Sequence, residues 1–292
     1  MKNLLKGILL IPLRLAATYA RHLSSRWPSA GFIWMDLMYP QIRDEVTRVA
    51  HRKGETEVVM SFHTPNAVCR YRADTFSTKE PETLEWIDRY GGEGAFYDIG
   101  ANVGLYSIYY AMTQPGTVYA FEPSVLNMGL LAKNISLNGL DAQIVIVPNP
   151  LTSENQVADF HLSMLDEGGS MSTFGADYGH DGLPLAAEMN YRTTGMSLDF
   201  LMESGIVPEA PAMIKVDVDG IEHLILRGAR STLTSPILKT ILIEVNDNFE
   251  ELAFEVTGAM TTAGFRLAER RQAEMFAGGA FSGTFNQIWA RQ

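Results

Sequence analysis

The 292-residue chain has one cysteine, Cys69, so it can form neither an internal disulfide nor a thiolate zinc cluster. Basic residues are also scarce: 23 Lys and Arg stand against 34 Asp and Glu, for a net charge of −11. Nucleic-acid backbones are held by Lys and Arg, so that balance argues against DNA or RNA as a partner. No apolar run is long enough to span a bilayer; the one from Gly7 to Leu13 is closed by Arg14. Glycine is missing at two particular places. After the apolar stretch Phe96-Tyr97-Asp98-Ile99, a dinucleotide fingerprint needs Gly-x-Gly-x-x-Gly, and its second and third places hold Asn102 and Leu105. The pyrophosphate reading fails there, which leaves a nicotinamide-dependent oxidoreductase as an alternative only.

What the stretch does contain is a buried strand, a turn with Gly100 and Gly104, and the start of a helix. Asn102 tolerates left-handed backbone and suits a cap for a helix beginning near Val103. Asp98, at the strand end, suits a ligand carrying an amine and repels one carrying phosphates. Glu122 follows the apolar run Val118 to Phe121, where an acidic residue accepts hydrogen bonds from ribose hydroxyls. An amine at one end and a ribose at the other describe S-adenosylmethionine as the cofactor.

Hydrophobic residues make up 46% of the chain, enough for a large core, and the length suits one catalytic domain with an extension. We expect a helical N-terminal extension over residues 1–54 and a single α/β domain over 55–292. The extension begins with Lys2, Lys6, Arg14, Arg21 and Arg26 and has no acid before Asp36. Leu4, Leu5, Ile8, Ile11 and Leu15 recur near helical spacing, the pattern of a basic amphipathic helix. It would pack on its own domain or, as the second reading, contact a membrane surface through residues 1–25; export ranks last. The expected location is cytoplasmic, with the inner membrane face as the alternative.

In chain order, a charged helix is expected from Asp36 to His51 and a strand from Glu57 to His63. Arg70, Arg72, Lys79 and Glu80 fall in a segment that either folds over the cofactor or is a solvated connection. A helix from Glu82 to Tyr90 precedes the central strand. Then come a helix over Val103–Thr113, a strand over Thr117–Phe121, a helix over Val125–Asn138 and a strand over Ile144–Val147. This alternation predicts a parallel, doubly wound sheet. Residues 149–196 interrupt it as a loop-like insertion suited to substrate recognition, with one strand at Val157–Leu162. A helix over Ser197–Ser204 leads to the strand Met213–Val216, a helix over Glu222–Leu233, a strand over Thr240–Val245, a helix over Phe249–Ala263 and two closing strands.

With these residues placed, the chain resembles the FkbM family of S-adenosylmethionine-dependent methyltransferases. The resemblance rests on Tyr97-Asp98-Ile99-Gly100-Ala101-Asn102-Val103-Gly104, on Ala120-Phe121-Glu122-Pro123, and on Ile214-Lys215-Val216-Asp217-Val218-Asp219-Gly220-Ile221-Glu222. It implies a class I methyltransferase, Rossmann-like sheet of seven mostly parallel strands with an antiparallel last strand, and O-methylation of a hydroxyl. It also implies that Asp98, Gly100, Ala101, Asn102 and Gly104 surround the methionine part of the cofactor, with Glu122 and Pro123 at the ribose. Asp219 departs from the family's more frequent Glu. Pro150 lacks the amide hydrogen that an adenine contact would use.

A hydroxyl acceptor must lose its proton. The candidate bases at the strand ends are Asp217 first, then Asp219, His223 and Glu244. Asp217 with Glu244 and Asn246 also offers oxygen ligands to a divalent cation, a lesser reading, and no metal is expected. The acceptor is expected to be a small molecule or glycan bearing a hydroxyl: a sugar, a glycolipid or a secondary metabolite. A noncatalytic binding protein that keeps the fold is the remaining alternative.

Overall fold

The computed structural model describes residues 43–272, 278–279 and 281–291, with isolated positions between 15 and 26. The basic stretch over residues 1–25 thus lies largely outside the described residues, as does the first part of the helix expected from Asp36. Among the described residues no helix is long and apolar enough to cross a membrane.

The sheet is built around β3 (Ala95–Ile99), whose five residues are all buried. Alternation along it feeds two cores. Phe96 faces one, with Ile108, Tyr109 and Leu131, while Tyr97 and Ile99 face the other, with Ile214, Val216 and Val256. A strand buried on both faces has to be apolar throughout, which is why the one acid in it, Asp98, stands out.

Strands β4 (Val118–Phe121) and β5 (Ile144–Val147) continue in parallel on one side of β3, with α4 (Leu105–Thr113) and α5 (Val125–Leu137) as crossovers. On the other side lie β9 (Pro211–Val216) and β10 (Thr240–Asn246), also parallel. The last strand, β12 (Thr284–Ala290), is antiparallel to both β10 and β11 (Arg266–Arg271). The order β11-β12-β10-β9-β3-β4-β5 gives the seven mostly parallel strands with an antiparallel last strand that the sequence resemblance implies. Chain direction reverses its spread between β3 and β9, and such a switch point opens a crevice at the strand carboxyl ends.

Two further sheets attach to this core. A hairpin of β1 (Val46–Lys53) and β2 (Thr56–His63) precedes α1 (Ala67–Asp74), α2 (Phe76–Lys79) and α3 (Pro81–Tyr90). The amides of Ser61 and His63 donate to the side-chain carbonyls of Asn138 and Asn134, fixing the hairpin against α5. Residues 46–51 are therefore strand rather than the end of a helix, because the alternating pairs with β2 satisfy a backbone rich in β-branched residues. The boundary expected at residue 54 falls in the turn of this hairpin.

The insertion is more ordered than a loop. Strands β6 (Gln156–Leu162), β7 (Thr173–Phe174) and β8 (Met189–Gly195) form an antiparallel sheet with its own small core of Phe160, Leu162 and Phe174. After it, α6 (Leu198–Glu203) leads into β9. The helix expected over Glu222–Leu233 is two: α7 (Glu222–Arg227) and α8 (Arg230–Thr234). Gly228 separates them at a point where a Cβ would collide with the Thr152 carbonyl of the insertion. The final helix, α9 (Glu250–Thr262), packs mainly on α7 and β10.

Candidate active site

The turn after β3 carries left-handed backbone at Gly100 (φ +86°), Asn102 (φ +53°) and Gly104 (φ +91°). A Cβ on Gly100 would strike the Asp217 carbonyl, so the glycine is set by the close approach of the β3 and β9 turns. Gly104 is the N-cap of α4. Asn102 therefore does not cap the helix through its side chain at the expected place. Its Oδ1 accepts from Val103 N at 3.0 Å, and its Nδ2 donates to Gly169 O at 2.8 Å.

Glu122, at the end of β4, is buried and accepts from Asn102 N at 2.7 Å and Ser124 N at 2.8 Å. Burial pushes its carboxyl up to about 7, and the two amides restrain that rise. Each of its oxygens keeps a further lone pair for a ligand hydroxyl.

Two lobes open from this switch point. The smaller, about 70 Å³, runs between Glu122, Pro123, Pro150, Phe160 and Ile225; the larger, about 350 Å³, lies toward α1, α2 and β12. Gly100, Asn102, Ser170, Asp217 and Asp219 line both lobes. A loop of the insertion covers the junction. Gly169 O accepts from Asn102 and Asn127, Gly168 N donates to Asn127 Oδ1, and Met171 N donates to Asp219 Oδ2 at 2.7 Å. Met171 and Asp219 are both left-handed, with φ +63° and +61°, so two strained residues meet across the crevice.

The larger lobe has a charged floor. Lys215, 1% exposed, donates to Asp217 Oδ2 at 2.5 Å, and Lys79 donates to Glu80 Oε1 at 2.5 Å. Tyr106 Oη completes the Glu80 site at 2.9 Å. Burial alone would raise Glu80, yet the two lysines hold it down to about 2. Burial pushes Glu244 well above the usual carboxylate range, reinforced by Asp217, Glu80 and Asp219. Asp219 is also raised, by burial and then by Asp217.

Oxygens of Glu80, Asp217 and Glu244 lie within 4.8 Å of one another, a spacing open to a cation. Lys79 and Lys215 already pair with two of these carboxylates, Glu80 and Asp217. Two of the three donors are thus committed to ammonium groups. Asn246 lines neither lobe: its Oδ1 accepts from Asn248 N and its Nδ2 donates to His180 O.

Of the residues singled out from sequence, the structure brings Gly100, Ala101, Asn102, Asp217, Asp219 and Glu244 to the larger lobe and Glu122 and Pro123 to the smaller. Gly104 stands behind the turn, against Leu131. Asp98 lies beneath the floor: it is 1% exposed, accepts from Ser107 Oγ at 2.6 Å and pairs in register with Lys215, and it lines neither lobe. Any contact of Asp98 with an amine therefore runs through its neighbours. His223 packs edge-on against Phe249, away from both linings. Its place on the α7 face buried against α9 removes it from the proton-accepting group. Sequence reasoning left Arg72 and Glu80 undecided and gave Lys215 no role. Lys215 had a signal: it shares a face with Asp217 two residues on.

A family profile described as Methyltransferase FkbM domain matches residues 98–267. Among solved structures, a methyltransferase FkbM from Methylobacillus flagellatus KT is similar, with 12% identity, a TM-score of 0.46 and coverage of 71% of this chain and 50% of its own. The chain thus spans half of that protein's length. A precorrin-6y C5,15-methyltransferase from Geobacter metallireducens shows 13% identity and a TM-score of 0.42, covering 73% of this chain and 87% of its own. A tRNA m1G37 methyltransferase from M. jannaschii shows 12% identity and a TM-score of 0.43, covering 84% of this chain and 57% of its own. A search among curated protein sequences found no match.

Proposed function

Because the chain belongs to the FkbM methyltransferase family, we propose that it carries a methyl group from S-adenosylmethionine to a hydroxyl of a sugar, glycolipid or secondary metabolite. The single observation that carries this reading is Glu244. It is a carboxylate on β10 held above its usual range by burial and by the neighbouring acids, and it lines the larger lobe beside Asp217.

The residues suit the cofactor. Carboxylates around the junction, Asp217 and Asp219, favour a ligand with positive charge, and the glycine amides of the turn are already bonded to Phe121 O and Ala101 O, which leaves none for a pyrophosphate. Glu122 keeps lone pairs for ribose hydroxyls. When bound, the cofactor supplies an electrophilic methyl on a sulfonium. The acceptor oxygen would form the new C–O bond as the S–C bond breaks, releasing S-adenosylhomocysteine, and its proton would pass to Glu244. A base whose affinity for protons is raised above the ordinary carboxylate range is better matched to a hydroxyl than an ordinary carboxylate. Asp217, bonded to Lys215, then orients rather than accepts. Glu82, Gln272 and Asn286 line the same lobe with planar polar groups that suit adjacent hydroxyls. The net charge of −11 disfavours a nucleic-acid acceptor.

Calorimetric titration tests the cofactor half. S-adenosylhomocysteine should bind saturably and NADH should not; binding of NADH alone, or of neither, would sink the reading. Transfer of labelled methyl to a panel of glycans and hydroxylated metabolites tests the acceptor half.

A further inference from the structure

We propose that Arg72 is the residue that holds the carboxylate of the cofactor's methionine part, an inference that rests on the cofactor reading above. A methionine carboxylate entering this crevice meets a lining of acids, Asp217, Asp219, Glu80 and Glu244, so it needs a cation not already paired or a set of free amides.

The amides of the turn are already used. Gly100 N and Ala101 N donate to Phe121 O, Asn102 N to Glu122, Val103 N to Asn102 Oδ1 and Gly104 N to Ala101 O. The cations lining the larger lobe are Arg72, Lys79 and Lys215. Lys79 is bonded to Glu80 and Lys215 to Asp217. Arg72 forms no ion pair among the described residues. Its one hydrogen bond runs from Nε to Gly168 O at 2.7 Å. That bond occupies one of five N–H groups, and the two terminal nitrogens are left for a ligand.

The location agrees. Arg72 sits in the last turn of α1, and the larger lobe is bounded by Arg72 on one side and by Gly100 to Val103 on the other. With its Nε fixed on Gly168 O, the guanidinium plane is held before the ligand arrives, which suits the two-pronged grip that carboxylates receive from arginine.

The test compares two ligands that share the nucleoside and thioether and differ in the amino-acid part: S-adenosylhomocysteine and 5′-methylthioadenosine. By calorimetry, Arg72→Met should weaken S-adenosylhomocysteine on the order of 10- to 100-fold and leave methylthioadenosine unchanged. Retained methylthioadenosine binding also shows that the variant is folded. Arg72→Gln, which keeps a donor for Gly168 O and removes only the charge, should behave in the same way. If both variants weakened the two ligands alike, or weakened neither, Arg72 would be a loop contact and the assignment would be overturned. Failure of the wild-type protein to bind either ligand would instead overturn the cofactor reading.

Discussion

Lys215 Nζ lies 2.5 Å from Asp217 Oδ2, and the lysine is almost wholly buried behind that contact. The pair separates the acids of the crevice into two kinds. Asp217 has a fixed cation; Glu244, at the end of the adjacent strand, has none. Glu244→Gln should therefore lower kcat by about 10²- to 10⁴-fold with any accepted hydroxyl substrate and leave S-adenosylhomocysteine affinity within a few-fold. The acid limb of the pH profile, placed above the ordinary carboxylate range by the raised Glu244, should vanish with it. If Asp217→Asn removed that limb and Glu244→Gln kept it, Asp217 would be the base instead.

Stability should depend on pH in two opposite ways. Glu122 and Glu222, each raised to about 7 from an ordinary 4.5 by burial, bind protons more tightly in the folded chain than in the unfolded one. Their contribution is present below 4.5 and is lost as pH rises through 7, by at most about 3 kcal/mol each. Glu80, held down to about 2, contributes stability above 4.5 that is lost as pH falls toward 2. Urea unfolding from pH 5 to 8 should show falling stability. Glu122→Gln should flatten that slope, apart from a constant offset for the altered bonds to Asn102 and Ser124. An unchanged slope in the variant would mean that Glu122 is ionised throughout.

The strands of the central sheet were legible because buried parallel strands are short apolar runs, as in Phe96–Ile99 and Met213–Val216. The direction of Asp98 was not. Its side chain shares a face with Phe96 and meets Lys215 across β9, a relation that exists only once β3 and β9 are paired. The β1 strand was hidden for a similar reason: Val46 to His51 is half-exposed and charged, and its partner β2 decides its conformation. Arg72 carries no periodic signal at all. Its meaning comes from the lysines around it being spoken for.

Gly100 and Gly104 looked alike in sequence and differ in what surrounds them. At Gly100 a Cβ would meet the backbone carbonyl of Asp217, which is locked in the β9 turn; at Gly104 it would meet the tip of Leu131 at 2.6 Å, which can swing aside. Both positions also carry the left-handed penalty of about 1–2 kcal/mol. Gly104→Ala should then cost about 2 kcal/mol, and Gly100→Ala more than about 3 kcal/mol, measured by urea denaturation. Equal losses would show that the Asp217 turn yields as readily as a leucine side chain.

The loop over the crevice can be tested with the chain's own cysteine. An ideal Cβ on Gly168 would lie 2.8 Å from Cys69 Sγ, so Gly168→Cys should form a disulfide between α1 and the loop. The bridge would close a loop of roughly 100 residues, worth up to about 4.7 kcal/mol, less about 1–2 kcal/mol for a side chain at a left-handed position. A net gain of about 2–4 kcal/mol on oxidation is expected, read as the difference in urea stability with and without dithiothreitol. Burial pushes the Cys69 thiol up to about 12, so its thiolate is scarce at neutral pH and crosslinking should quicken as pH rises. Because Gly169 O is bonded to Asn102 and Asn127 at the junction of the two lobes, the oxidised protein should also release S-adenosylhomocysteine more slowly than the reduced one. Release at equal rates in both forms would show that the loop stays closed while the cofactor comes and goes.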